Sequence, residues 1–422
     1  MIRREKSLMQ NGKPSGALLR GVLAEHEREV GRMNRLYDYY ALRSPINLRT
    51  RPEGLPNNRL SHAYARYVVN VAAGYLTGSP VTYQDDTQKE ALQPVINAYR
   101  AADVQSVDME LSRAQSLFGK GVELIYADKN VRPRSAALDP RCAFVVYDST
   151  VAAEPLFGVL YRPITDESGR PTAHELNVYS EDSILTYRAT NLLDLGSKAP
   201  DSVERHYFGR VPLIEYWNND EETGDFECVL SLLDAYDAVQ SDRLNDEEQL
   251  VNALLVITGA QLLPDEKGRS PAQQLRQDKL LYLPDRDASA QYLTRPNASA
   301  DAETLRLALK SDIHKLCMVP DLSDEHFAGN ASGVAMRYKL LGLEQLTRIK
   351  ERWFREALRE RLRIYARFLS VKGYRPLNAD TVRMVFERSL PQDALETAQM
   401  VKTLEGMVPE EVLMSQLPFV EK

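Results

Sequence analysis

The sequence contains no stretch of about 18 consecutive apolar residues, so no segment is expected to cross a bilayer as a helix. The basic residues before Gly16 are not followed by the apolar run of a secretion signal, and the reading is of a chain with no membrane contact and no signal peptide. Cysteine is scarce: Cys142, Cys228 and Cys317 are the only three in 422 residues. Their intervals lack the short paired spacing of a zinc site or redox motif, so they are expected as small buried hydrophobes in a reducing compartment. Positive charge is short as well, with 53 Lys and Arg against 60 Asp and Glu and a formal net charge of -7. That excludes a global field holding nucleic acid by counterion release; any DNA contact must be local or weak.

The usual marks of catalysis are also missing. A phosphate cradle needs glycines followed by lysine at the mouth of a helix, and the nearest match, Gly119, Lys120 and Gly121, lacks the upstream glycine and reads as a strand-entry turn. His26, His62, His174, His206, His314 and His326 are scattered. Only His314 and Cys317 stand one helical turn apart, and two ligands do not make a metal site. No Gly-x-Ser-x-Gly elbow occurs, and carboxylates are too common on helix faces for one pair to stand out as an acid/base dyad. The expectation is no catalytic residue, no metal and no cofactor: a chain that is not an enzyme.

What is present is a chain of mixed texture, long enough for two or more domains, with 43% hydrophobic residues. Apolar spacing of three and four predicts helices over Ala17 to Ala41 and Leu60 to Leu76, the latter ended by Gly78 as a left-handed cap and by Pro80. One or two more helices fill Gln88 to Leu117. Short β-like runs follow at Val122 to Tyr126, Ala143 to Tyr147, Leu156 to Arg162, Glu175 to Tyr179 and Ser183 to Tyr187, which predicts an antiparallel sheet and an α+β, mainly helical fold.

Cys228 to Ile257 reads as one long helix whose acidic side, Asp234, Asp237, Asp242, Asp246, Glu247 and Glu248, is most simply a solvated surface. After a polar stretch from Gly259 to Ala300, with extended runs at Leu280 to Leu283 and Gln291 to Thr294, a helix resumes over Ala302 to Met318. Val334 to Val371 reads as a second long helix. Its basic run through Arg348, Lys350, Arg352, Arg355, Arg359, Arg361, Arg363 and Arg367 is interleaved with Glu351, Glu356 and Glu360, favouring pairs such as Glu351 with Arg355, or pairs across a subunit boundary, over contact with phosphate. Val382, Met384 and Phe386 suggest one further strand.

Three stretches resemble the portal family of siphophages typified by the Bacillus phage head-to-tail connector: Asn57 to Tyr83, Tyr207 to Val256 and Val319 to Leu346. The last two are the more specific, joining an Asp-rich long helix to the later Asn-x-Ser-Gly-Val-Ala-Met start of another. The resemblance implies a phage portal fold of wing, stem, clip and crown, repeated twelve times around a channel that passes double-stranded DNA. Carried onto this chain, the wing is 1–227, the stem 228–258 and 301–318, the clip 259–300, the tunnel loop 319–333, the long wing helix 334–374 and the crown 375–422. The implied partners are the terminase large subunit, a head-completion or adaptor protein, and capsid and scaffolding proteins. The implied place is the capsid portal vertex of the virion, after assembly in the host cytoplasm. A different capsid-associated protein, such as a minor head protein or adaptor, is the alternative.

Physical chemistry adds one expectation to the loop. A conduit must let DNA slide, and each phosphate neutralised by Lys or Arg adds affinity. Asp321, Asp324 and Glu325, repeated around a ring, would repel the duplex, while His326, Phe327 and Asn330 complete the loop's DNA-facing set. In the clip, Lys267, Arg269, Lys279 and Arg286 are the candidate contacts for docking partners.

Overall fold

The structure is a computed structural model that describes residues 1–10, 12–192, 195, 198–251, 255–258, 289–292, 298–323, 333–388, 401–404 and 406. The chain divides into two compact units: Met1–Arg43, Ala63–Leu230 and Ile313–Lys422 form the first, Ser44–His62 and Ser231–Asp312 the second.

In the first unit, strand β1 (Ile2–Arg4) and the small hairpin β2 (Met9–Gln10) and β3 (Lys13–Pro14) precede helix α1 (Gly16–Tyr40). Ser15 caps α1 by accepting from the Leu18 N–H at 3.2 Å, satisfying one of the donors a helix start leaves open. Helix α2 (Tyr64–Thr77) leads to β4 (Thr82–Gln84), α3 (Lys89–Ala101) and α4 (Val104–Phe118). Gly78 is not the left-handed cap expected of it: its φ of -64° and ψ of -30° are right-handed. Pro80 suffices to stop the helix, because it brings no N–H to the ladder.

Eight strands follow: β5 (Lys120–Ala127), β6 (Pro133–Leu138), β7 (Ala143–Asp148), β8 (Pro155–Thr165), β9 (Pro171–Tyr179), β10 (Ser183–Ala189), β11 (Ser202–Arg205) and β12 (Leu213–Trp217). They make two sheets, one in the order β1-β7-β8-β9-β10-β11 and one in the order β12-β5-β6. The pairing is antiparallel as expected, except that β1 lies parallel to β7, with Ile2 opposite Val146. Strand β7 shows why its sequence is an unbroken apolar run. Phe144 and Val146 join the cluster under α1 with Leu19, Val22 and Phe157, while Ala143, Val145 and Tyr147 face Val122, Leu213 and Trp217 of the other sheet. Both faces are covered, so side-chain alternation brings no polar residue to the surface.

The three-stranded sheet turns its second face, through Ile125, Ile214 and Tyr216, to a core shared with α2, α3, α4 and the long helix α8 (Leu341–Val371). Strand β15 (Arg383–Val385) pairs with β4, and Ala379, Val382 and Met384 are buried in that same core. Helix α7 (Gly333–Lys339) is separated from α8 by Leu340 alone, where one continuous helix was expected.

The second unit contains α5 (Leu230–Val251) from Ser231 onward, β13 (Leu255–Thr258), β14 (Ser289–Tyr292) and most of α6 (Ala298–Leu316). The expected helix to Ile257 ends at Val251, and Leu255–Thr258 instead pairs antiparallel with Ser289–Tyr292. Val256, Ile257 and Thr258 are β-branched, lose rotamer freedom in a helix and suit a ladder. The expected extended run 291–294 begins two residues earlier, and 280–283 lies outside the described residues. No described helix is long and apolar enough to cross a membrane.

Candidate functional site

The residue that follows α6 begins a tightly fixed turn. Cys317 is buried and its N–H donates to the Ile313 carbonyl at 3.0 Å. Met318 then adopts φ +55°, a left-handed conformation that is strained for a residue with a side chain, and Val319 is buried. The Tyr67 hydroxyl of α2 donates to the Pro320 carbonyl at 2.7 Å and accepts from the Leu322 N–H at 3.1 Å. His314 closes the turn from the other side. Its Nδ1 is 3.1 Å from the Val319 carbonyl, and the rings of Tyr64 and Tyr67 meet it edge-on.

Asp321 is the one member of the expected DNA-facing set among the described residues. Its Oδ1 accepts from the Ser323 N–H at 3.1 Å and the Ser323 hydroxyl at 2.6 Å, and lies 4.0 Å from His314 Nε2. Part of its charge is therefore engaged in holding the turn. Asp324, Glu325, His326, Phe327 and Asn330 lie outside the described residues, as do Lys267, Arg269, Lys279 and Arg286.

The acidic side of α5 is the solvated face expected only in its last part. Asp237 is buried and accepts from the His62 N–H at 3.0 Å and the Ser44 hydroxyl at 2.8 Å, with His62 Nδ1 2.8 Å away. Asp242 pairs with both Arg49 and Arg51. The Ser241 hydroxyl accepts from the Leu60 N–H at 2.9 Å, and Asn245 Oδ1 from the Asn58 N–H at 2.7 Å. Segment 44–62 is thus strapped along the helix by one row of short polar side chains. Asp246 and Glu247 remain exposed. Arg243 pairs with Glu303 of α6 at 2.9 Å, and Glu303 with Arg306 at 2.6 Å.

The basic run of α8 divides by depth. Arg355 pairs with Glu351 as expected, and Arg348 with Glu344 at 2.9 Å, on the outer side. Lys350 and Arg361 are fully buried, which sequence reasoning missed. The Lys350 ammonium lies 2.6 Å from Asp225 Oδ2 and also contacts the Ser116 hydroxyl; burial lowers its pKa. Arg361 bridges Asp108 of α4 at 2.6 Å and Glu123 of β5 at 2.8 Å, and burial pushes the Asp108 carboxyl up to about 6. Lys350 thus ties α8 to α4 and to the segment after β12, and Arg361 ties it to α4 and β5, so both cations are already paired inside the protein.

Gly119 to Gly121 makes the strand entry expected of it. Gly119, at φ +89°, ends α4, and an added Cβ would fall inside the Glu222 carbonyl, while Lys120 turns inward to Glu215 at 3.2 Å. The cysteines depart from the expected uniform burial. Cys317 is buried, Cys142 is half-buried, and Cys228 is exposed.

Residues 20–422 match the family model described as phage portal protein, SPP1 Gp6-like. The chain belongs to this family. Among curated relatives, the portal protein of Bacillus phage SPP1 is 25% identical over 386 residues, covering 86% of this chain and 74% of the relative. The portal protein of Clostridium phage phiCD119 is 22% identical over 381 residues, covering 86% and 82%. Two solved structures are similar at lower level: the neck of an empty GTA particle computed with C6 symmetry, at TM-score 0.46 and 13% identity, and the neck of a native GTA particle computed with C12 symmetry, at 0.45 and 12%. Each covers 86% of this chain, which spans 91% of theirs. In this family member the match begins within α1, so strand β1 and the β2–β3 hairpin precede it.

Proposed function

We propose that the chain is one subunit of a homo-oligomeric ring, with twelve copies expected, that forms the channel at a single capsid vertex through which double-stranded DNA enters and leaves the virion. It acts as a conduit and docking platform and not as an enzyme. The observation that carries this reading is the family match from residue 20 to residue 422. The wing is assigned to 1–227 and the long helix region 334–374, the stem to 228–258 and 301–318, the clip to 259–300, the tunnel loop to 319–333 and the crown to 375–422. The clip, through Lys267, Arg269, Lys279 and Arg286, is the docking surface for the terminase large subunit during filling and for head-completion proteins afterwards. Capsid and scaffolding proteins meet the ring during assembly in the host cytoplasm.

The electrostatics support a sliding contact. A net charge of -7 and a carboxylate at the base of the loop disfavour counterion release, so the duplex gains little by sticking. Electron microscopy of the purified protein tests the reading. Rings with an axial opening wide enough for a duplex are expected. Monomers and dimers alone at high concentration would count against it, and rings closed at the axis would favour another capsid-associated role such as an adaptor.

A further inference from the structure

We propose that Cys228 and Cys317 form a redox-active dithiol that closes to an intrachain disulfide, with Cys228 as the thiol an oxidant attacks. Far apart in sequence, the two meet in the first unit. Cys228 sits in the 3₁₀ turn Glu227–Val229 immediately before α5 and is exposed. Cys317 is the residue after the last of α6 and is buried. Cys228 Sγ lies 4.0 Å from the Leu316 carbonyl, part of the peptide group that leads into Cys317.

The pair is chemically unequal in the way exchange chemistry requires. The hydrogen bond from Cys317 outweighs burial and holds the Cys228 thiol down to about 7, so much of it is thiolate near neutral pH. The same bond, followed by burial, pushes the Cys317 thiol up. The carboxylates facing them, Asp225 and Glu227, are occupied by Lys350 and by Arg32 at 2.7 Å. Cys142 supplies an internal comparison, since burial pushes its thiol up to about 11.

With a hydroperoxide as oxidant, the Cys228 thiolate attacks one peroxide oxygen. The S–O bond forms, the O–O bond breaks, and the departing oxygen takes a proton and leaves as alcohol or water. Cys317 sulfur then attacks the Cys228 sulfenic acid: the S–S bond forms, the S–O bond breaks, and water leaves with the Cys317 proton. Two thiols are oxidised and one hydroperoxide is reduced. The bond ties the 227–229 turn to the residue preceding Met318, at the root of the 319–323 turn.

The test treats the folded, full-length protein with graded hydrogen peroxide, blocks remaining thiols with an alkylating reagent, and maps peptides by mass spectrometry without reduction. A peptide bearing Cys228 joined to one bearing Cys317, lighter by two hydrogens and released by dithiothreitol, is expected while Cys142 remains alkylatable. In Cys317→Ser, Cys228 should stop at a sulfenic acid trapped by dimedone. In Cys228→Ser, at an exposed position, Cys317 should stay a thiol. Accumulation of Cys228 sulfenic acid in the unsubstituted protein with Cys317 still free would overturn the proposal, and so would oxidation of Cys142 at least as fast as Cys228.

Discussion

Arg361, in the middle of α8, lies wholly inside the protein with its Nε 2.8 Å from Glu123 Oε1 of β5. Asp108 completes the bridge from α4 at 2.6 Å, and Tyr216 donates to Glu123 at 2.6 Å. Removing one member of a buried ion network leaves charge unpaired in a poorly solvated place, which costs about 3–5 kcal/mol. Arg361→Ala is therefore expected to lower the denaturant midpoint sharply. Arg348→Ala, which breaks an outer pair one helical turn long, should cost only a few tenths of a kcal/mol. Similar losses for both would show that the inner bridge contributes no more than a surface pair.

A second prediction concerns acid. His26 is buried under the large sheet, stacked on Phe144 with ring centroids 4.3 Å apart, with Nε2 2.9 Å from the Pro140 carbonyl. Burial, aided by the charge of Lys120, lowers its pKa from 6.5 to about 3. Above 6.5 the imidazole is neutral in both folded and unfolded chains and linkage contributes nothing. As pH falls from 6.5 towards 3, the unfolded chain takes up a proton that the folded one refuses, so stability drops by about 1.4 kcal/mol per pH unit from this group. Unfolding free energies measured at several pH values should show that slope in the natural protein. His26→Gln keeps a donor for Pro140 but cannot titrate, so the difference between the two proteins should shrink steadily as pH falls. A constant difference across the range would remove His26 as the cause.

The strap on α5 can be released at one residue. Asp237→Ala leaves the His62 N–H and the Ser44 hydroxyl without their acceptor, and a buried donor left unpaired costs about 1–3 kcal/mol. Limited proteolysis should then cut within residues 44–62 at protease levels that leave the natural protein intact. Unchanged resistance would mean that Asp242, Ser241 and Asn245 hold the segment without it.

The sequence revealed elements with a strong period and hid those that depend on distant partners. Helices α1 to α4 and strands β5, β7, β8, β9 and β10 fall where spacing placed them, because each carries its own apolar pattern. Strand β6, Pro133–Leu138, went unseen because Arg134, Ser135 and two alanines have little strand character of their own; pairing with β5 makes it a strand. The strap and the buried cations were hidden for a related reason. Asp237 and Arg361 resemble ordinary surface charge until residues 175 and 238 positions away meet them. A tyrosine such as Tyr67 gives no sign in sequence that its hydroxyl will fix a loop base far along the chain.

That tyrosine and Asp321 allow the proposed channel role to be tested without disturbing the ring. Replacing Asp321 by Lys would both reverse the charge and remove the acceptor of the Ser323 bonds, so a packaging defect from it has two explanations. Asp321→Asn keeps a carbonyl oxygen for Ser323 and removes only the charge. Tyr67→Phe does the converse, freeing the Pro320 carbonyl and the Leu322 N–H while leaving every carboxylate in place. If repulsion of phosphate keeps the duplex sliding, complementation of a portal-deficient phage should give fewer filled heads with the double variant Asp321→Lys, Asp324→Lys and a smaller deficit with Asp321→Asn. Rings should form normally in each case. Tyr67→Phe should then leave electrostatic sliding intact and show its effect as faster amide exchange at residues 318–323. Full packaging by the double lysine variant would mean that charge on the loop is immaterial to passage, whatever the ring looks like.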